Sequence, residues 1–358
     1  MRSRTRILCV VGAVAVAVAT PATAQAGGNW TVVVEGLDSP RGLDVAPDGS
    51  LYVAEAGRGG DGPCFPGPEG NVCFGASGAI TRVDPHERTF TRVLTGLPSI
   101  AAPDGSAAIG PSDVAFRHGK HNYVFTVGLG ADPAVRQSLP DVGRDASGWL
   151  LRSHDGGWKT VADIAGHEAA ANPDAGALDS NPNSVEVSKH GAVVADAGAN
   201  SLVRVSPDGQ VSTLAVFPNR TIGGAEVQTV PTSVVRGPDG AYYVGELTGF
   251  PFPPGQARVH RVTPSGETEV FAEGFTNIID LAFDDQGRLH VLEIAHNGLT
   301  SGDPTGALIR VDPGGYHHVV ALDGLVMPGG LVIDEGAAYV TNCGVCPGGG
   351  SVVRIRLH

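Results

Sequence analysis

Four carboxylates recur at one place in this chain of 358 residues. Glu55, Asp196, Glu246 and Glu293 each close a short apolar run, as in Leu51-Tyr-Val-Ala-Glu55 and Leu289-His-Val-Leu-Glu293, and Asn342 holds the equivalent place after Ala338-Tyr-Val-Thr341. Oxygen donors gathered around one point suit Ca²⁺ or Mg²⁺. A cation held that way can polarise a carbonyl or activate water. A plainer role is open to the same residues: each carboxylate accepts hydrogen bonds from nearby backbone, or pairs with one of six recurring arginines (Arg82, Arg152, Arg204, Arg261, Arg310 and Arg354).

Phe250-Pro-Phe-Pro-Pro254, directly after Glu246, occurs once. Stiff aromatic side chains lose little entropy when a partner covers them, so Phe250 and Phe252 are candidate binding residues beside Glu246, Asp196 and Asn342. They could equally plug a central channel. The histidines are scattered, and only His167 and His296 fall near the carboxylates. No Gly-x-Ser-x-Gly elbow, His-Glu-x-x-His, P-loop or dinucleotide fingerprint is present. No catalytic residue is therefore assigned.

The elements that must position these residues are short strands. Pro231-Thr-Ser-Val-Val, Tyr242-Tyr-Val-Gly-Glu246, Ala257-Arg-Val-His-Arg-Val262 and Thr268-Glu-Val-Phe271 form one unit of strands A to D, cut by Gly and Pro turns. Five further copies follow the same plan, beginning near Gly42, Pro111, Pro182, Ile279 and Gly330. Periods of about 45 to 70 residues with four strands each predict propeller blades. The sixth copy lacks a strand D, while Asn29-Trp-Thr-Val-Val-Val-Glu-Gly36 precedes the first strand A and reads as one. The expectation is an all-β, six-bladed β-propeller in which an N-terminal strand completes the last blade. It forms a single domain over residues 27–358.

Strand direction assigns loops to faces. The A–B and C–D turns are minimal, as in Pro47-Asp-Gly-Ser50 and Ser206-Pro-Asp-Gly209. The B–C loops and D–A crossovers share the other face and carry nearly all the loop length. Long loops on a rigid scaffold are where ligands and partners are usually met. The carboxylates that end strand B belong to that face.

Residues 1–26 read as a secretory signal. Arg2, Arg4 and Arg6 precede an apolar run from Ile7 to Ala19, and small residues at Ala22, Ala24 and Ala26 suit cleavage. No run is long enough to span a bilayer. The formal net charge of −13 becomes more negative once that segment is removed, which argues against nucleic acid and anionic lipid. A secreted, extracytoplasmic monomer is expected. Cys64, Cys73, Cys343 and Cys346 then read as disulfides. Local pairing, Cys64–Cys73 and Cys343–Cys346, is expected, with cross-blade pairing the alternative.

Pro231-Thr-Ser-Val-Val, Gly237-Pro-Asp-Gly-Ala-Tyr-Tyr-Val-Gly-Glu-Leu-Thr-Gly-Phe-Pro-Phe-Pro253, Ala195-Asp-Ala-Gly-Ala-Asn-Ser-Leu202 and Asn172-Pro-Asp with Asp179-Ser-Asn-Pro182 closely resemble the ScyD/ScyE family. That resemblance implies an exported, six-bladed TolB-like propeller related to NHL-repeat proteins, and it carries no catalytic residue with it. A broader similarity is to gluconolactonase/SMP-30-like propellers, which hold a divalent cation centrally, although Val127 stands where blade two would need a ligand. Two functions follow. The first is a non-catalytic module that binds an unidentified protein or small molecule through the long-loop face. The second is a metal-dependent hydrolase, lactonase or lyase using Ca²⁺ or Mg²⁺ in the central funnel, with Glu55, Asp196, Glu246 and Glu293 as ligands.

Overall fold

Six antiparallel sheets, five of four strands and one of five, are arranged around one axis in the computed structural model, which describes residues 30–67, 70–117, 122–312 and 314–357. Residues 1–26, expected from the sequence to be a secretory signal, lie outside the described residues, as do Asn29, His118 and His121. Blade three shows the plan, with Pro182–Ser188, Gly191–Asp196, Ser201–Val205 and Val211–Val216 in spatial order. Strand B is buried along almost its whole length, being sandwiched between neighbouring blades, whereas strand D is mostly open. Continuous apolar runs in strand B and mixed ones in strand D are the sequence form of that difference.

One apolar cluster fills each wedge between blades. Leu43, Leu51, Val53 and Val83 of blade one pack against Val33, Leu37 and Val352 of blade six. Tyr243, Val259 and Phe275 of blade four pack against Leu281, Val291 and Ile309 of blade five. Each such side chain contributes roughly 1.5–3 kcal/mol by leaving water. The inner A strands touch in cyclic order, the first also meeting the sixth. Trp30–Leu37 pairs antiparallel with Gly350–Arg356, so the first strand is the fourth of the last sheet. Gly350 lets Pro40, which opens the first strand A, pack against this pairing, because a Cβ there would lie 2.2 Å from Pro40 Cδ.

The two faces differ as their loops do. In the A–B turns Gly49 N–H donates to Ala46 O and Gly240 N–H to Gly237 O, both at 2.9 Å. Both glycines have φ near +80°, where a side chain would be strained. On the opposite face the B–C loop of blade one folds into a ribbon, Cys64–Gly67 against the start of Gly70–Asp84. Crossovers there carry the helix Ile164–Ala171 and the hairpin Arg220–Ile222 with Ala225–Val227. Both disulfides are local, Cys64–Cys73 and Cys343–Cys346.

Candidate functional site

Each strand-B carboxylate is held within its own blade. Glu55 is fully buried and accepts from Asp38 N–H (2.5 Å), Arg92 Nε (2.9 Å) and Nη2 (2.7 Å), and the Thr81 hydroxyl. Asp196 accepts from Ser180 Oγ (2.7 Å) and from the backbone N–H groups of Asn181 (2.6 Å) and Ala199 (3.3 Å). Burial still pushes its carboxyl up to about 6. Glu293 accepts from Thr276 N–H (2.6 Å) and pairs with His296 Nδ1 (2.5 Å). Burial raises the Glu293 carboxyl, and the His296 bond opposes that rise.

Glu246 receives Arg220 Nη2 and the Nε2 of His260 at 2.9 Å. Burial, reinforced by the charges of Arg220 and Arg258, pushes His260 down to about 4, so its neutral ring donates Nε2–H to the carboxylate. Asn342 completes the pattern in blade six: its Oδ1 accepts from Val326 N–H (2.7 Å) and its Nδ2 donates to Gly324 O (2.9 Å). The backbone donors Asp38, Asn181, Thr276 and Val326 all lie shortly before their blade's strand A. In every blade but the second, where Val127 stands, these side chains therefore tie the D–A crossover to the end of strand B. Among the described residues no group of three or more His, Cys, Asp or Glu is placed to hold a metal ion.

The aromatic loop sits at the surface. The Phe250–Pro251 bond is cis, Phe250 is 76% exposed, and Phe252 is half-buried with its ring edge-on to Phe250 at 6.1 Å. Neither ring lines the central cavity. His167 is turned to Thr213 Oγ1 at 2.8 Å. Arginines of the repeat face the turns of the plain side, as in Arg261 with Asp239 at 2.7 Å and Arg82 with Asp48 at 3.1 Å.

A different set of acids lines the axis. Strand A is the free inner edge of every blade, so its inward N–H groups need acceptors. Asp44 Oδ2 takes Phe116 N–H of the next blade (2.7 Å), Asp113 Oδ2 takes Val185 N–H (2.9 Å), and Asp280 Oδ2 takes Leu331 N–H (2.7 Å). Ser184 Oγ does the same for Val234 N–H at 3.2 Å. Glu186 joins these acids on the wall of a cavity of about 670 Å³ whose other lining includes Val114, Val185, Leu281, Phe283 and Leu331. Pro47 and Arg117 stand at its mouth, so it opens among the A–B turns, on the face with the short loops.

Burial dominates the electrostatics there. It pushes Asp280 up to about 7, and Asp44 up to about 6 with the charge of Asp334 adding to the rise. Glu186 rises to about 7 through burial, aided by Asp44 and opposed by Arg236. Asp113 is raised well above the usual range by burial and then by Asp280. These residues were accessible to sequence reading as acids interrupting apolar strand A, in Leu43-Asp44-Val45, Asp113-Val-Ala-Phe116, Val185-Glu186-Val187 and Ile279-Asp280-Leu281.

No family model matches the chain, and no curated protein does. Solved structures do resemble it. A protein of unknown function from Bacteroides thetaiotaomicron VPI-5482 aligns with a TM-score of 0.58 at 9% identity, covering 92% of this chain and 75% of that one. The gluconolactonase XC5397 of Xanthomonas campestris aligns at 0.55 and 13% identity, covering 92% and 89%. A calcium-binding regucalcin of Agrobacterium tumefaciens aligns at 0.52 and 14% identity, covering 91% and 94%. Such identities speak to the shared six-bladed fold alone.

Proposed function

We propose that this chain is an exported ligand-binding propeller of the ScyD/ScyE kind. Its ligand is a small organic cation of the ammonium or guanidinium class, taken into the channel cavity from the short-loop face. One observation carries this reading. Asp44, Asp113, Glu186 and Asp280 wall a single cavity whose only basic lining residue, among the described residues, is the exposed Arg117 at the mouth. The volume lies in the range of small-molecule sites, and apolar walls with a few convergent polar groups are their usual make-up. A bound cation would offset the repulsion between the acids. The two disulfides and the lack of any helix long and apolar enough to cross a membrane, among the described residues, are compatible with an extracytoplasmic setting.

Titration calorimetry with 1,4-diaminobutane, arginine methyl ester and tetramethylammonium tests this. At least one is expected to bind at pH 8, and Asp280→Asn with Glu186→Gln is expected to weaken it at least ten-fold. Failure of all three at millimolar concentration, or binding indifferent to those substitutions, would overturn the reading. The loop-face version, centred on Glu246, Phe250 and Phe252, predicts instead that Phe250→Ala with Phe252→Ala removes binding.

A metal-assisted hydrolase or lyase is the second reading. It would require Glu55, Asp196, Glu246 and Glu293 to exchange the donors just described for an ion. Hydrolysis of a simple aldonolactone that EDTA abolishes, and that Glu246→Gln also abolishes, is the result that would favour it.

A further inference from the structure

A separate group of oxygens on the long-loop face lacks the donors it needs. Helix Ile164–Ala171 lies in the crossover between blades two and three, capped by Asp163, whose Oδ1 accepts Gly166 N–H at 2.8 Å. The helix stops at Asn172, which adopts a left-handed conformation and donates its N–H to Glu168 O. Glu168 is turned inward. It is 1% exposed, and neither of its carboxylate oxygens has a well-formed hydrogen bond. The Asp179 amide eases the charge, but burial and the neighbouring acids outweigh it. A buried carboxylate without donors costs several kcal/mol, so such a group either takes up a proton or is met by a counter-charge. Here the charged neighbours that act on it most are all acids, Asp196, Asp174 and Asp179.

The rest of the segment repeats this shortage. Asp179 Oδ1 and Asn172 Oδ1 are also buried without partners. Their surroundings are fixed: Asn172 Nδ2 donates to Gly176 O (3.0 Å), and Asp174 accepts Gly176 N–H (2.8 Å) and Asn200 Nδ2 (2.9 Å). Ser180 and Asn181, just after Asp179, are tied to Asp196. The result is a short segment whose unsatisfied side-chain atoms are all oxygen acceptors, two of the three residues being acids. That donor set suits a hard divalent cation, and Ca²⁺ tolerates the mixed carboxylate, amide and carbonyl geometry better than Mg²⁺.

We propose that Glu168, Asn172, Asp174 and Asp179 form a Ca²⁺ site that pins the blade two to blade three crossover on the long-loop face. It is independent of the channel ligand and separate from the four strand-B carboxylates as a set, with Asp196 as backing. Among the described residues no three of the acids yet converge on one point. The side chains must therefore draw inward around the ion, with water completing its shell. Binding should order the crossover.

The test uses the full mature chain stripped with EDTA. Calorimetry with CaCl₂ is expected to show one site per chain, and millimolar Ca²⁺ is expected to raise the melting temperature. Glu168→Gln should weaken Ca²⁺ binding at least ten-fold while leaving the metal-free melting temperature equal or higher, because it removes an unpaired buried charge. Asp179→Asn, which does not touch the helix, should weaken binding similarly and guards against a folding failure of the first variant. Glu269→Gln, an exposed acid paired with Arg261 on blade four, should change nothing. Absence of a stoichiometric Ca²⁺ response in the parent protein, or binding unchanged in both Glu168→Gln and Asp179→Asn, would overturn the proposal.

Discussion

Glu55→Ala is expected to lower the stability of the metal-free protein by about 3 kcal/mol, within the roughly 3–5 kcal/mol range for breaking a buried ion pair from one side. The Glu55 carboxylate is fully buried and serves three neighbours at once: the Asp38 amide, the Thr81 hydroxyl and the Arg92 guanidinium. Alanine leaves the first two without an acceptor in a dry site, and each such orphan costs about 1–3 kcal/mol. The lower end of the range applies because Arg92 is one-third exposed and keeps a second partner, Asp38, at 3.3 Å. Asp38 is also bonded to Arg58 at 2.7 Å, so the network loses its centre but not all of its charge balance. Glu55→Gln, which keeps one acceptor, should lose about half as much. Urea denaturation in EDTA measures both. A ligand whose only task is to hold an ion behaves in the opposite way. Removing it relieves repulsion in the metal-free state, so unchanged or increased stability would remove the crossover-tying role assigned to Glu55.

The blades were legible because each repeats the same local decisions. Pro47-Asp-Gly-Ser50 and Gly237-Pro-Asp-Gly240 can only turn, and Leu51-Tyr-Val-Ala-Glu55 can only be a strand buried on both sides. Those signals depend on neighbours in sequence. The acids of the axis answer to neighbours about 50 to 70 residues away: Asp44 is placed by the amide of Phe116, and Asp113 by that of Val185. Nothing beside Asp44 in the chain announces that partner.

The same limit applied to the strand-B carboxylates. Their recurrence was plain, but recurrence is shared by a ring of ligands and by a structural tie repeated in several blades. Only the donors at Asp38, Asn181 and Thr276 show what the folded chain does with them. Loop length was a poor guide to cavity position. The long loops fold onto themselves as a ribbon, a helix and a hairpin, while the short turns leave the channel mouth open. Glu168 had no signal at all, being one acid in a short alanine-rich helix.

Between pH 4 and pH 8 the stability of the ligand-free, metal-free protein is expected to fall. The channel acids set the sign. Asp44 is pushed up to about 6, and Glu186 and Asp280 to about 7, so each binds its proton more tightly folded than unfolded. Stability from such groups is fully present below the unfolded carboxyl range, near pH 4, and is lost as pH rises through their folded values. A tenfold gain in proton affinity on folding is worth about 1.4 kcal/mol before solvent in the channel mouth weakens it, so the combined fall is on the order of a few kcal/mol. Surface acids work the other way: Asp104 and Asp303 are held low, chiefly by bonds from Ser106 and Thr305, and their contribution disappears only in strong acid. His260, pushed down to about 4, opposes part of this fall between its folded value and the usual imidazole range, and the several raised carboxyls outweigh it. Urea midpoints measured between pH 4 and pH 8 in the parent protein and in Asp280→Asn with Glu186→Gln provide the check. The double variant should show a clearly shallower decline. An unchanged decline would mean that these two carboxyls are ionised throughout and that the channel carries full negative charge even when empty. If the proposed cation does occupy the cavity, it must bind more tightly at pH 8 than at pH 5, because at pH 5 it competes with the protons that the buried acids retain. The midpoint gained from 1,4-diaminobutane should then grow over the same interval in which the ligand-free protein weakens.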